Sequence, residues 1–391
     1  VADLPAKSLT DEAPIYDQPA SEPVHVTEAR NWQIDSVPEL EPNEVTGALE
    51  KLLGHPTIGS KRWVWKQYDH MVMSGCTVEP GSDAGVVRLS IAGIDKYLAI
   101  ANDCNNRFCF LDPYRGAQIA FVECMRNLAC SGAKALAVTD NLNFGNPNKP
   151  EAYYMLKECV KGLADACAHF DVPVVGGNVS LYNEHGDGAI DPTPVVSMVG
   201  LIDKPELVTR STISGTGQSV VLLGGFSDEL GGSYFLQTQH GLKEGKVPVV
   251  DLEAEAKLQG LLIGGIELGL ISSAHDLAEG GLLVAMLEML FGNLNLGAEI
   301  KVDALDFNAR LDALLFGESQ GRALIGVSPE NLSSLLDLAN QWGISAHFLG
   351  QTTENEVFSL KVDDKEILNS DVSKLRKIWE DAIPTMMQLS Q

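Results

Sequence analysis

The chain has 391 residues, with 53 acidic against 28 basic side chains and a formal net charge of −25. So acidic a chain excludes the nucleic-acid backbone as a partner, and an anionic substrate must be met by local cations, a metal or backbone N–H groups. The length allows a sizeable core in two lobes, and the longest apolar stretch, residues 260–271, is broken by glycines and Glu267, so no transmembrane span is expected.

The first fifty residues hold 11 acidic and 2 basic side chains with several prolines. Residues 1–53 are therefore expected to form an extended, surface-hugging or disordered linker. Because the chain opens on Val1, the expectation is a fragment or a cleaved product, with simple trimming as the alternative. From Gly54 the pattern becomes ordered. In KRWVWKQYDHM, Trp63 and Trp65 are expected to pack or to form an interface rather than to meet nucleic acid. VVRLSIAG and KYLAIAND predict two strands, with Asp83 just before the first and Asp103 ending the second. Asp112 and Pro113 then cap and open a helix whose stripe is Ala117, Ala120, Phe121, Cys124, Met125 and Leu128, stopped at Gly132.

Ala133 to Glu151, AKALAVTDNLNFGNPNKPE, predicts a strand through Val138 followed by a polar loop carrying Asp140, Asn141, Asn143, Gly145 and Asn146. Lys149-Pro150-Glu151 opens a helix with Met155, Leu156, Cys159, Val160, Leu163, Ala164 and Cys167 at helical spacing. PVVGGNVSLYNE follows, from Pro173 to Glu184. Residues 172–175 suit a buried strand, Gly176 and Gly177 admit close approach of a ligand, and Asn178, Ser180 and Asn183 offer polar atoms. A bulge or tight turn is the bland alternative. A strand, helix and strand in this order place both polar segments side by side at the carboxyl ends of the strands, where α/β proteins take ligands.

One lobe therefore spans residues 54–203. DKPELVTRSTISGTGQ connects it to a second, residues 204–391, in which SVVLLGG, SSAHD, ALIGV and SAHFLG alternate with helices beginning near Leu252, Gly281 and Glu330. Seven cysteines, at 76, 104, 109, 124, 130, 159 and 167, form no CxxC pair and are expected to be reduced core residues of a cytoplasmic protein.

The run from Ala101 to Glu151, followed by VPVVGGNVSLYNE, resembles the second half of phosphoribosylformylglycinamidine synthase, most of all its small, separate-subunit form. YDHM, EPGSDAGVVRL, HDLAEGGL and LFGESQGR extend the resemblance from Tyr68 to Arg322. DLAEGGL and SDA are shared with a wider superfamily that includes aminoimidazole ribonucleotide synthetase and selenophosphate synthetase. The resemblance implies an α/β (α+β) two-lobe fold like that of aminoimidazole ribonucleotide synthetase, its first-lobe strands pairing with an equivalent half to complete a central barrel.

It further implies an ATP-dependent ligase of purine biosynthesis that makes formylglycinamidine ribonucleotide. Asp140 and Gly177 would contact ATP, Asn178 would ligate Mg2+ and Ser180 would hydrogen-bond the ribonucleotide, the alternative for each being a loop-stabilising turn. The implied partners are the first half of the same synthetase, a glutaminase subunit and a small accessory subunit. The family's proton-accepting histidine belongs to that first half. None of the eight histidines here lies in such a loop, so no catalytic residue is assigned to this chain.

Asp83 and Asp103 read either as metal ligands or as loop-ordering groups. The helix start after His275 and Asp276 reads either as a phosphate site or as a capped terminus, and Arg322 pairs with a phosphate or with Glu318. Two other functions stand beside the ligase: a non-catalytic module that holds nucleotide and docks subunits, and a homodimeric relative complete in itself.

Overall fold

A computed structural model describes residues 3–91, 93–186, 188–292, 296–303 and 309–389. Ala92, inside the expected strand VVRLSIAG, lies outside the described residues.

The first sheet has six strands: β1 (Cys76–Val78), β2 (Gly85–Ile91), β3 (Ile94–Asp103), β4 (Lys134–Asn143), β5 (Val174–Ser180) and β6 (Thr193–Ile202). They lie in the order β1-β2-β3-β6-β4-β5, antiparallel throughout except for the parallel pair β4 and β5. In β6, alternate residues from Pro194 to Ile202 are buried and the residues between them half-buried. The buried side faces the long helices Pro113–Cys130 and Pro150–Phe170, packing Ala99, Ala101, Val138, Val196 and Met198 against Ala117, Phe121, Cys124, Cys159 and Leu163. On the other side Val87 lies opposite Leu98, which lies opposite Leu201, and Ile100 lies opposite Val199. This face stays partly open to solvent, with Ile100 44% exposed.

Two expectations for the glycine-tipped strand change here. Val174 and Val175 lie on the exposed edge strand of the sheet rather than in a buried one, Val175 being 70% exposed. And β4 does not end at Val138: it runs on to Asn143, so Asp140, Asn141, Asn178 and Ser180 belong to the strands themselves.

The second sheet comprises β7 (Ser219–Leu223), β8 (Ser273–Asp276), β9 (Gly297–Val302), β10 (Ala323–Val327), β11 (Ala346–Thr353), β12 (Val357–Val362) and β13 (Lys365–Asp371), in the order β8-β10-β7-β11-β9-β12-β13. Alternation along β7 sends Val220 and Leu222 to one core and Val221 and Leu223 to another. The second core contains Leu258, Leu261 and Leu262 of the helix Leu252–Glu267. The first contains the helices Gly281–Phe291 and Val372–Leu389, together with the helix Val45–Leu53.

That last helix corrects the expectation of an extended linker. Val45, Ala48, Leu49, Leu52 and Leu53 recur at helical spacing and are all buried. A further helix, Val24–Asn31, buries Val26 and Ala29.

Candidate active site

The parallel register of β4 and β5 sets the geometry of the glycine-tipped segment: Asp140 pairs with Gly177, Asn141 with Asn178 and Asn143 with Ser180. The four residues expected to bind ligand thus fall within four successive registers, Asp140 and Gly177 on one face of the pair, Asn178 and Ser180 on the other. A Cβ placed on Gly177 would collide with Asp140 Oδ1, so the missing side chain is what lets the carboxylate lie across the strand. Burial pushes the Asp140 carboxyl above its ordinary range. Asn178, on the opposite and exposed side of β5 from Gly177, donates through Nδ2 to Asn141 Oδ1 at 3.0 Å. Asn183 ties the two strand ends together, donating through Nδ2 to Phe144 O at 3.1 Å and to Ser180 O at 2.9 Å, with its Oδ1 3.2 Å from Ser180 Oγ. Carboxylate and amide oxygens of this kind are hard donors suited to magnesium, and bare glycine backbone beside them admits a nucleotide.

A second polar centre lies between the lobes, in a cavity of about 550 Å³ lined by Asp83, Asp103, Asn127, His275, Asp276, Glu279 and Glu288. His275 Nδ1 is 2.5 Å from Asp83 Oδ1 and its Nε2 is 3.2 Å from Glu288 Oε2. Donating from both nitrogens requires the imidazolium. Burial opposes that charge, yet the two carboxylates outweigh it and hold the His275 pKa well above its ordinary value. Asp83, His275 and Asp276 offer ligand atoms within 4.8 Å of one another, and Asp83 Oδ2 and Asp276 Oδ2 are buried without a hydrogen-bond partner. With His275 held between two acids, the donors left for a cation are oxygens, the set that a hard divalent ion selects. Burial also pushes Asp276 up to about 7, against the pull of Arg126, and burial first, then repulsion from neighbouring acids, raises Asp103, Glu123 and Glu279.

Asp83 and Asp103 therefore share one cavity. The helix Gly281–Phe291 carries no side-chain cap from Asp276; instead Glu318 Oε1 accepts from Gly280 N at 3.0 Å and from Tyr234 N at 2.8 Å. Arg322 forms no salt bridge with Glu318 among the described residues. Buried, it donates to the carbonyls of Ser319 at 2.9 Å and Gly317 at 2.7 Å. The cavity residues Asn127, Glu279 and Glu288 were not singled out from the sequence. Glu123 and Asn127, four residues apart inside a buried helix, were the available signal: polar side chains within an apolar stripe need a buried reason.

Two family models match the chain, the N-terminal domain of AIR synthase related proteins over residues 81–202 and their C-terminal domain over residues 215–363. The chain belongs to the AIR synthase related proteins. Over 99% of its length it is 40% identical to the phosphoribosylformylglycinamidine synthase subunit PurL of Alkaliphilus metalliredigens (strain QYMF), of which it covers 52%. The chain thus spans about half the length of the curated relatives it matches. Among solved structures it resembles T. maritima PurL complexed with FGAR, at a TM-score of 0.69 and 23% identity, covering 86% of this chain and 54% of that one. T. maritima PurL complexed with ATP aligns at a TM-score of 0.62 and 23% identity, over 84% and 52% of the two chains. These likenesses establish the two-lobe α/β fold.

Proposed function

We propose that this chain forms the second half of a phosphoribosylformylglycinamidine synthase, contributing ATP, magnesium and substrate contacts to a ligase of purine biosynthesis. The observation that carries the reading is the β4–β5 register, which sets Asp140, Gly177, Asn178 and Ser180 within four adjacent registers in a chain 40% identical along nearly its whole length to PurL. In that reaction the amide oxygen of formylglycinamide ribonucleotide takes the terminal phosphoryl group of ATP. Ammonia adds at the same carbon, and phosphate departs with the oxygen to leave the amidine and ADP. Asp140 and the bare backbone at Gly177 hold the nucleotide, Asn178 Oδ1 is the oxygen that would hold magnesium, and Ser180 meets the ribonucleotide. Magnesium, when bound, supplies neutralising charge to the phosphates.

In this reading the proton acceptor and the glutamine-derived ammonia come from other parts of the assembly: an equivalent half, a glutaminase subunit and a small accessory subunit. The open face of Val87, Leu98, Ile100, Val199 and Leu201 supports docking of that equivalent half across a central barrel. No helix among the described residues is long and apolar enough to cross a membrane, and a cytoplasmic setting is part of the same proposal.

The test is turnover of formylglycinamide ribonucleotide with ATP and ammonia, measured with and without a polypeptide supplying the other half of the PurL length. Turnover is expected only from the pair, falling at least about a hundredfold in Asp140→Ala or Asn178→Ala, as for loss of a group that stabilises transition-state charge. Turnover by this chain alone would overturn the incomplete-site reading, and unchanged rates in both variants would overturn the residue roles.

A further inference from the structure

Asp140 and Gly177 occupy one face of the parallel pair; the next register, Asn141 with Asn178, occupies the other. A carboxamide is planar, with an acceptor at one end and a donor at the other. Because Asn178 commits Nδ2 sideways to Asn141 Oδ1 at 3.0 Å, its own Oδ1 is turned away from Asn141. We propose that Asn141 is a positioning residue that locks the Asn178 amide with its oxygen presented to the cation of a metal–nucleotide complex, an inference that rests on the metal-binding role given to Asn178 above.

Asn141 is itself well anchored. It sits in β4 with a paired strand on each side, opposite Val195 on one and Asn178 on the other, and its backbone carbonyl accepts from Asn143 Nδ2 at 2.9 Å. Once its Oδ1 has accepted from Asn178, its Nδ2 remains the donor end of the couple. The hydrogen-bonded couple then keeps one acceptor, on Asn178, and one donor, on Asn141, the two kinds of group that a cation and the oxyanion it accompanies require.

The experiment titrates the full chain with Mn2+ and a non-hydrolysable ATP analogue, reading bound Mn2+ by electron paramagnetic resonance and nucleotide affinity with and without the metal. Asn141→Leu removes the acceptor while keeping the bulk, and the metal-dependent part of the affinity should fall about threefold to tenfold, the size of one hydrogen bond. Metal-free nucleotide affinity should not move. Asn141→Asp should restore the metal-dependent part, because its carboxylate accepts the same N–H. In an Asn178→Asp background the two oxygens are equivalent and need no orienting, so adding Asn141→Leu should cause no further loss. Equal loss in both backgrounds, or no rescue by Asn141→Asp, would overturn the positioning role.

Asn178→Ala separates the two layers. If metal-dependent affinity survives it, the metal role of Asn178 fails and the inference falls with it. If Asn178→Ala abolishes that affinity and Asn141→Leu does not alter it, positioning alone fails. The side-chain 15N–1H signal of Asn178, displaced by its hydrogen bond in the parent and relaxed in Asn141→Leu, tests the lock without any metal.

Discussion

Gly177 shows how much a single absent side chain decides. Its α-carbon faces Asp140 across a parallel register, and a methyl group there would meet both Oδ1 and the carbonyl oxygen of that residue. Gly177→Ala must therefore push the carboxylate aside. The expected outcome is weaker nucleotide binding in calorimetric titration, accompanied by a lower melting temperature. Loss of stability with nucleotide affinity intact would show that Asp140 is free to move without consequence for binding. The neighbouring Gly176 has only Thr139 Oγ1 near its Cβ position, at 3.8 Å, and Gly176→Ala serves as the tolerant control.

Helix ends, rather than helix bodies, carry the unusual chemistry at the level of elements. Glu318 takes backbone N–H groups from the starts of two helices, Tyr234–His240 and Gly281–Phe291, on a single oxygen, while its Oε2 is buried without a partner. Burial pushes this carboxyl from 4.5 up to about 8. A carboxyl raised in the fold binds its proton more tightly there than in the unfolded chain, so stability is greatest at low pH and falls as pH climbs from about 4.5 towards 8. Glu318→Gln keeps the accepting oxygen and removes the titration. Its melting temperature should exceed that of the parent at about pH 8, with a flatter profile below; parallel profiles for the two proteins would refute the assignment.

Elements with strong local signals were legible in the sequence. Asp112 caps its helix by accepting from Arg115 N, and Pro150 opens the next at its first turn, as their residue types dictate. Register and burial were not legible. Whether Val174 and Val175 lie at a centre or an edge depends on which strand arrives beside them, and β6, which fills the middle of the sheet, arrives from residues 193–202. The cavity was hidden for a similar reason: it joins Asp83 to His275, 192 residues apart, and neither neighbourhood alone announces the other.

Across the whole molecule the two lobes are fastened by a buried charge cluster. Arg126, with no exposed side-chain surface, lies 2.5 Å from Glu255, 3.5 Å from Asp276 and 3.6 Å from Glu123, and donates to Gln320 at 3.2 Å. Arg126→Met would strand three acids away from water, and breaking such a cluster by removing one partner costs about 3–5 kcal/mol. Urea unfolding should record that loss, and the double change Arg126→Met with Glu255→Gln should cost less than the sum of the single changes. Additive effects would mean that the arginine serves packing rather than charge.

The helix Val45–Leu53 also joins distant parts of the chain, packing its leucines with Leu375 while Lys374 reaches Glu50 at 2.6 Å across 324 residues, and Trp379 donates to Ile58 O at 3.0 Å. At roughly 5–20 residues per second of synthesis, that separation is about 16 to 65 s. The helices Tyr234–His240 and Gly281–Phe291 reach this core earlier, but the apolar stripe waits the whole interval for the last segment that covers it. The yield of native protein therefore depends on what shields residues 45–53 during translation, a vulnerability set by chain connectivity and not by the strength of any finished contact.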